Sequence, residues 1–430
     1  MKFFATLLIL MSAFSITAQL DLKACLAMAD TANLTIRNAE LDIELNKRER
    51  SSYLSSRLPQ LNFNADYRYN AKIQGQVVPL EFFGGQPGLY TTVQFGVPYI
   101  LSNNLQLTQI LYNSQLNYGL SALKINADIV DVQRNMTVQE IRYQVANTYF
   151  LLQGLDKQLS FLQSNLEQTK KLIKNTNALV DKELVVQIEA DKIKVNLLNL
   201  ENGISNAQST RAQLLDLLKI LIGFPADKEL ILAQDVAIEQ SLLKAEENKQ
   251  FYALRLIESQ QEMNKEEGKG IKLSYLPNLN FYGIYNYSYN INPADDFRKG
   301  IDGVFIGLKL DWSLFDGLQR MQKSKMNAIR TEKLINQYEL TNQQLEMAAQ
   351  QAKRQIKVKS DALNLAKEQF TLAESIYNSS RTRFENGLVN STELILSENS
   401  LYQAQNNIVS SYIQLRQAEL EYLKSIGNIK

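Results

Sequence analysis

Two long stretches of the chain lack proline, and this constrains the fold more than any other feature. Residues 99–224 and 294–430 contain none of the residue that most strongly breaks helices. Apolar residues in them recur in steps of three and four, a period near 3.5 that is typical of coiled coils. The pattern predicts one helix from about Ser114 to Val180 and another from about Leu318 to Phe384, each on the order of 100 Å long. Helices of that length need partner helices along their whole length.

The apolar seam of each predicted helix can be read directly from the sequence. In the first helix it comprises Val138, Ile141, Val145, Leu152, Leu155, Leu159, Leu162, Leu166 and Ile173, with Thr148 and Thr169 filling the gaps. In the second it comprises Ala366, Phe370, Ala373, Tyr377 and Phe384.

Four segments alternate apolar and polar residues over about ten positions, the length and pattern of membrane-spanning β-strands. They cover residues 61–70, 105–112, 279–290 and 304–312, and they form two hairpins, 61–112 and 279–312. Four strands cannot close a barrel within one chain, and open strand edges are not tolerated in lipid. The strands therefore predict a homo-oligomer. Residues 71–103, rich in Gly, Pro and aromatic residues, are expected to form a long loop.

The N-terminus has the features of a cleavable signal peptide. Lys2 precedes an apolar run and then a small-residue region, so we expect residues 1–19 to be removed. A membrane anchor is the alternative, but the run falls short of the roughly 20 residues that span a bilayer. No later segment is apolar enough for a transmembrane helix. Cys25 is expected to lie buried on a helix as a small apolar residue.

The composition excludes most enzyme chemistry. The chain has no histidine and one cysteine, which rules out Ser-His and Cys-His catalysis, His-ligated metals and an intrachain disulfide. Its 46 Lys and Arg against 45 Asp and Glu give a net charge of +1, which offers no general attraction for nucleic acid. We therefore predict that the chain is not an enzyme, uses no cofactor or metal and has no nucleic-acid partner.

The two halves of the chain repeat one another. Leu-Pro-Gln-Leu-Asn-Phe at 58–63 matches Leu-Pro-Asn-Leu-Asn-Phe at 276–281, and Leu184-Val185 matches Leu388-Val389. We expect a first repeat at 20–223, a linker at 224–241 and a second repeat at 242–430. Each repeat contains a helix, a β-hairpin and two long helices joined by a tip turn, near 181–187 in the first and 384–390 in the second.

Several short motifs together resemble the TolC-type outer-membrane efflux protein family. They are Leu20-Asp21-Leu22 with Ala27 and Asn33, the Leu-Pro before each first strand, Leu-Phe-Asp-Gly at 314–317, and Arg-Phe-Glu-Asn-Gly-Leu-Val at 383–389. The resemblance implies a mainly α fold with a β-barrel part. Twelve strands of a trimer would form one outer-membrane barrel, and long antiparallel coiled-coil helices would continue it as a periplasmic α-barrel with the linker at its equator.

The resemblance also implies a function and partners. The chain would be a passive duct in the cell outer membrane that extends into the periplasm and works with a periplasmic adaptor (membrane fusion) protein. An inner-membrane efflux pump or ABC exporter would drive efflux or type I secretion, and drugs, metals and proteins all remain possible cargo. A secreted structural coiled-coil protein, such as a filament or adhesin subunit, is the alternative. It does not explain four amphipathic strands that occur in duplicate.

The resemblance directs attention to the two tip turns. Candidates for contact with the adaptor are Leu184, Val185, Gly387, Leu388 and Val389. Candidates for the pore constriction are Glu189, Glu393, Phe384, Arg381 and Arg383. In a trimer, Glu189 and Glu393 would bring six carboxylates near one axis, which would favour cations over anions. The alternative for each is a solvated glutamate on a helix surface.

Aromatic residues at the strand ends are candidates for a girdle at the lipid boundary. Trp312, Tyr99 and Tyr112 are the residues concerned. Packing at the base of the barrel, beside the helices, explains them equally well.

Overall fold

The computed structural model describes residues 20–233 and 251–429. The predicted signal peptide and residues 234–241 of the predicted linker lie outside the described residues. The helices within those ranges are α1 (Leu22–Ala32), α2 (Leu34–Ser55), α3 (Ser114–Val180), α4 (Gln187–Ile222), α5 (Tyr252–Leu273), α6 (Gln319–Glu385) and α7 (Ser391–Ser425). The strands are β1 (Gln60–Tyr69), β2 (Gly75–Pro79), β3 (Tyr90–Gln94), β4 (Tyr99–Tyr112), β5 (Asn278–Asn292) and β6 (Phe297–Asp311).

The prediction of two very long helices is confirmed. Helices α3 and α6 each have 67 residues, and their ends fall at or next to the predicted residues. In α3 the predicted seam is the buried face, and Val145 and Leu152 are completely inaccessible to solvent. Thr148 and Thr169 are buried in the same seam. Among the described helices, none is both long enough and apolar enough to cross a bilayer.

The main sheet is antiparallel, with the strand order β1-β4-β5-β6. In register, β1 runs from Gln60 opposite Thr108 to Tyr69 opposite Tyr99, and β5 pairs with β4 on one side and β6 on the other. Within the described chain, β1 and β6 are therefore the edge strands.

Two strands are longer than the sequence pattern predicted. Strand β4 begins at Tyr99 instead of residue 105, and β6 begins at Phe297 instead of residue 304. Polar and glycine residues interrupt the alternation there, but pairing with β5 continues through them. The predicted loop at 71–103 is also wrong in part, because it contains the start of β4 and a small hairpin of β2 and β3.

The chain divides into two compact units. Among the described residues, the first unit comprises 20–42, 131–233, 251–256 and 337–429, and it is helical. Its largest core includes Cys25, buried on α1 as predicted. Asn33 joins α4 and the start of α2 at this core. Its Nδ2 donates to the carbonyl of Leu221 at 2.7 Å, and its Oδ1 accepts from the backbone N–H groups that begin α2.

The second unit comprises residues 43–130 and 257–336 and contains both sheets. Buried Arg320 organises the segment between β6 and α6. Its Nε donates to Asp316 Oδ2 at 2.8 Å, its two terminal nitrogens donate to the carbonyls of Ser274 and Ser313, and its guanidinium stacks on the ring of Tyr275. The Asp of the Leu-Phe-Asp-Gly motif thus has a structural task, which is to orient this arginine.

Candidate functional site at the tips of the helix hairpins

Both long helices end in the same hydrogen-bonded turn. After α3, the N–H of Glu183 donates to Val180 O and the N–H of Leu184 to Leu179 O. After α6, Gly387 donates to Phe384 O and Leu388 to Arg383 O in the same pattern. Glu183 and Gly387 have φ values of 59° and 69°, the left-handed conformation of a Schellman C-cap.

The returning helices begin differently. Helix α7 is capped by Asn390, whose Oδ1 accepts from the N–H of Glu393 at 3.0 Å. Helix α4 begins after Val186, which provides no side-chain cap. Glu189 and Glu393 both lie in the first helical turn, where the helix dipole stabilises a negative charge.

Glu189 connects the two hairpins. Its Oε2 accepts from the backbone N–H of Ser391 at 3.1 Å and from the Ser391 hydroxyl, while its Oε1 pairs with Lys192 at 3.1 Å. Lys192 in turn donates to Thr392 Oγ1 at 3.2 Å. Ser391 is completely buried. The Ser391 hydroxyl, followed by Lys192, outweighs the opposing effect of desolvation and lowers the pKa of Glu189, so its carboxylate is stabilised here. We call these four residues the α4–α7 latch.

Glu393 has a different environment from its counterpart. It forms an ion pair with Arg383 at 3.2 Å, and both side chains are about half exposed. Arg381 lies one turn before the end of α6, with its Nε 3.7 Å from Glu385. The structure therefore does not bring Glu189 and Glu393 into one cluster within the protomer. It ties one to the neighbouring hairpin and leaves the other at the surface.

The predicted adaptor-contact residues form the outermost part of the turns. Leu184 and Leu388 are both 69% exposed, although they are large and apolar. Val185 and Val389 are half-buried, and Val389 packs against the core below. Gly387 is exposed in its left-handed turn.

Phe384 lies in a small core below the tips and not on the surface. It is buried with residues from all four long helices, which are Leu172, Ile193, Ala373, Tyr377, Leu394, Leu401 and Ala404. Its role in the constriction stays a prediction, as do those of Glu189, Glu393, Arg381 and Arg383.

The three aromatic girdle candidates lie at the ends of strands. Tyr99 begins β4 and stacks on Tyr69 with the ring centroids 4.8 Å apart, whereas Tyr112 ends the same strand. Trp312 follows β6, and its indole N–H donates to the carbonyl of Tyr275 at 2.9 Å. That hydrogen bond is compatible with both of the expected roles for Trp312.

Sequence reasoning missed the residues that hold the hairpins together. Ser391, Thr392 and Lys192 were not predicted, although Asn-Ser-Thr-Glu at 390–393 is a recognisable helix start. It also missed Glu398 on α7, which is buried between Thr169 on α3 and Asn196 on α4. No local sequence signal marks such a site, since its partners come from distant parts of the chain.

Across residues 20–233 and 251–429, no group of three or more Cys, Asp or Glu side chains is arranged to hold a metal ion. The contacts at the tips are ion pairs, hydrogen bonds and apolar packing. Such an arrangement can fasten or release helices.

Comparison with known proteins confirms the resemblance expected from the sequence. Residues 272–428 match the family model described as outer membrane efflux protein. The chain is 23% identical to outer membrane protein TolC of Salmonella enteritidis over 442 residues, which cover 98% of this chain and 83% of TolC. The predicted outer-membrane localisation is confirmed by the same comparison.

Solved structures show the same fold. A structure of CusC, studied for transmembrane channel formation, has a TM-score of 0.73 at 14% identity, covering 94% of this chain and 91% of CusC. The open state of the MtrE outer membrane channel of Neisseria gonorrhoeae has a TM-score of 0.71 at 15% identity, covering 95% of this chain and 89% of MtrE. A mainly helical fold with a sheet part is thus confirmed. The match of residues 272–428 to the outer membrane efflux protein model supports an efflux channel over a filament or adhesin subunit.

Proposed function

We infer that this chain, a relative of the TolC-type outer-membrane efflux proteins, is the outer-membrane channel of a tripartite efflux or type I secretion system. Three copies form a passive duct from the periplasm to the exterior, and the duct catalyses no reaction. A periplasmic adaptor docks at the tips, and an inner-membrane efflux pump or ABC exporter supplies the energy.

The observation that carries the proposal is the four-stranded sheet with two open edges. Strands β5 and β6 have 15 residues each and β4 has 14, enough to cross a bilayer when tilted. An edge strand in lipid leaves unpaired N–H and C=O groups, each of which costs several kcal/mol. Pairing β1 of one copy with β6 of the next removes both edges, and three copies give a barrel of twelve strands.

An apolar stripe on α6 supports the same assembly. Its large apolar residues are exposed in the single chain. They lie seven or eleven residues apart, which is the spacing of a helix-packing seam. They are Leu340, Met347, Val358, Leu365 and Leu372. A helix of a neighbouring copy would cover this stripe.

The duplicated lengths of α3 with α4 and of α6 with α7 support the division into repeats at 20–223 and 242–430, with the linker at 224–241 between them.

We assign the closed state of the pore to the α4–α7 latch. Glu189 and Lys192 on α4 hold the first turn of α7, so the hairpin α6/α7 cannot move away from α3/α4 while these contacts persist. Glu393 and its partner Arg383 face the pore entrance as the charged part of the constriction. Arg381 and Phe384 lie behind this ion pair and support it. Phe384 does so by packing in the core below the turn.

Adaptor docking uses the exposed rim of the turns. Leu184 and Leu388 offer apolar contacts, Val185 and Val389 support them from below, and Gly387 leaves space beside the backbone. An adaptor that covers this rim gains apolar contact area, which favours association. Tyr99, Tyr112 and Trp312 contact the outer-membrane lipid at the two ends of the strands.

Planar-bilayer recording of the purified protein tests this function. The wild type should insert from detergent as a trimer and give a low conductance. Ser391→Ala should increase the open population on the order of tenfold or more, because a hydrogen bond to a charged group contributes about 1.5–3 kcal/mol. Ser400→Ala is the matched control, since Ser400 is an exposed serine on the same helix and its hydroxyl donates to Leu396 O in its own helix.

Two results would contradict the proposal. Recovery of the wild-type protein in the soluble fraction, without any pore activity, would refute the channel itself. A Ser391→Ala conductance equal to that of Ser400→Ala would refute the assignment of closure to the latch while leaving the channel standing.

A further inference from the structure

Glu398 is a buried carboxyl group in the middle of the four long helices, and neither the latch nor the rim uses it. The residue is 6% exposed. Its Oε1 lies 2.8 Å from the Thr169 hydroxyl on α3, and its Oε2 accepts from Asn196 Nδ2 on α4 at 2.7 Å. One side chain on α7 therefore connects to both helices of the other hairpin.

Within residues 20–233 and 251–429, no described salt bridge pairs the Glu398 carboxyl group with a cation. The groups that face it from α3 and α4, Thr169 and Asn196, are uncharged. From α6 it faces Tyr377, beside which lies the guanidinium of Arg381. Lys192, the cation of the latch on α4, is already paired with Glu189. A buried carboxylate without a cation is costly, so its neutral form is favoured.

The hydrogen bonds of Thr169 point to the same form. The Thr169 hydroxyl lies 2.9 Å from the carbonyl of Asn165 in its own helix and 2.8 Å from Glu398 Oε1. A hydroxyl has one hydrogen, so it can satisfy only one of these two acceptors when the carboxyl group is ionised. When Glu398 carries a proton, Glu398 donates to Thr169 and Thr169 donates to Asn165 O, so every contact contains one hydrogen.

We propose that Glu398 is a proton-dependent fastener, neutral when it holds α7 against α3 and α4, and that its ionisation loosens α7 from both helices. The fastening itself is a property of the helical unit. Its effect on the pore rests on the proposed channel function, because α7 carries the latch residues Ser391 and Thr392 at its first turn.

The direction of the pH effect follows from burial. Desolvation is the largest influence on Glu398 and raises its pKa above the ordinary glutamate range, against the opposing hydrogen bonds from Thr169 and Asn196. A folded-state pKa above the unfolded value means that the contribution to stability is complete at acid pH and is lost as pH rises through the folded-state pKa. Glu189 behaves oppositely, since its lowered pKa keeps it ionised over that pH window.

Hydrogen exchange of the intact trimer in lipid nanodiscs tests the fastener. We expect the protection factors of residues 165–173, 193–200 and 394–402 to fall on the order of tenfold between about pH 5 and pH 8, after correction for intrinsic exchange. Glu398→Gln should keep high protection at both pH values, because an amide can donate to Thr169 and accept from Asn196 as the neutral acid does. Glu201→Gln, at an exposed carboxyl group on α4, should retain the wild-type pH dependence.

The outcomes separate the possibilities. Wild-type protection that is constant or rises with pH overturns the proposal, even if Glu398→Gln fails to assemble. Retention of the pH dependence in Glu398→Gln also overturns it. If exchange behaves as expected and the closed-state conductance rises with pH in the wild type but not in Glu398→Gln, the fastener acts on the pore. Absence of any conductance would count against the channel and leave the exchange result intact.

Discussion

At the scale of single residues, the two tip turns share one backbone conformation but have different residues at the position that adopts it. Each turn needs a residue in the left-handed conformation, which glycine adopts without steric cost and other residues adopt with strain. The second tip has Gly387 there, but the first has Glu183 with a φ of 59°. The first turn is therefore the less stable of the two for a local reason.

Replacing Glu183 by glycine should stabilise the first tip by about 1 kcal/mol, because it removes the left-handed strain. The amide of Leu184, which closes the turn on Leu179 O, should then exchange about fivefold more slowly. Glu183→Ala is the control, since it removes the side chain and keeps the strain. Equal slowing in both variants would mean that the side chain, and not the backbone, limits the turn.

Gly223 presents a stricter requirement at the end of α4. Its φ is 64°, and a Cβ added there would lie 2.6 Å from the carbonyl oxygen of Ala32. Gly223→Ala should therefore lower the thermal midpoint of the trimer more than Gly387→Ala, where a Cβ meets nothing within 4 Å. The second variant carries only the left-handed cost of roughly 1–2 kcal/mol. Equal midpoints for the two variants would contradict a steric role for Gly223.

At the scale of elements, α3 uses two kinds of interface. Leu155, Leu159 and Leu162 pack with α4 in an apolar core, whereas its contact with α7 includes, beside apolar packing, a series of polar side-chain pairs. These pairs are Asn165 with Gln405, Gln158 with Asn406, Gln153 with Tyr412 and Asn147 with Gln417. Paired amides have few satisfactory alternatives, so they specify the register of α3 against α7.

The buried pair Asn165–Gln405, with an N···O distance of 2.7 Å, gives a direct test of this interface. Asn165→Leu should destabilise the protein by about 1–3 kcal/mol because it leaves the Gln405 amide buried without its partner. The double variant Asn165→Leu/Gln405→Leu should recover most of that loss, as measured by thermal unfolding in a double-mutant cycle. Additive effects of the two substitutions would show that the amides are not coupled.

The accuracy of the sequence predictions varied with the range of the interactions involved. Helices α3 and α6 were predictable nearly to the residue, because periodicity and the absence of proline are local properties that continue over many turns. The start of β6 was not predictable from the sequence, because residues 297–303 owe their strand conformation to pairing with β5. The repeat in the sequence placed turns near 181–187 and 384–390, and α3 and α6 end at Val180 and Glu385. The Glu189–Ser391 contact was not predicted, because it joins residues that are far apart in the chain.

At the scale of the whole molecule, the proposed trimer turns two carboxylates per chain into charged groups around a pore. Their contributions differ, because Glu189 is engaged in the latch and Glu393 is balanced by Arg383. An exposed ion pair of this kind is weak and strongly screened. The selectivity of the channel should therefore depend on Arg383 as much as on Glu393.

Arg383→Gln should raise the preference for cations, and Glu393→Gln should lower it, each on the order of twofold in permeability ratio. Such a change is a fraction of the about 1 kcal/mol that two unit charges exchange at 4 Å in water. Reversal potentials in a salt gradient measure it, and Glu183→Gln, on the other hairpin tip, serves as the control. Shifts of the same sign in both variants would rule out a position of this pair at the constriction.

The small hairpin of β2 and β3 lies between residues that are already neighbours. Tyr69 and Tyr99 stand opposite each other in register, and Asn70 closes the junction by donating to the carbonyls of Val97 and Pro98. In the second hairpin of the main sheet, residues 293–296 make the same connection alone. We therefore expect that a foreign peptide could replace the insert without changing the register of β1 and β4. In the proposed topology this loop faces the cell exterior, which makes it a suitable position for displaying an epitope on the cell surface.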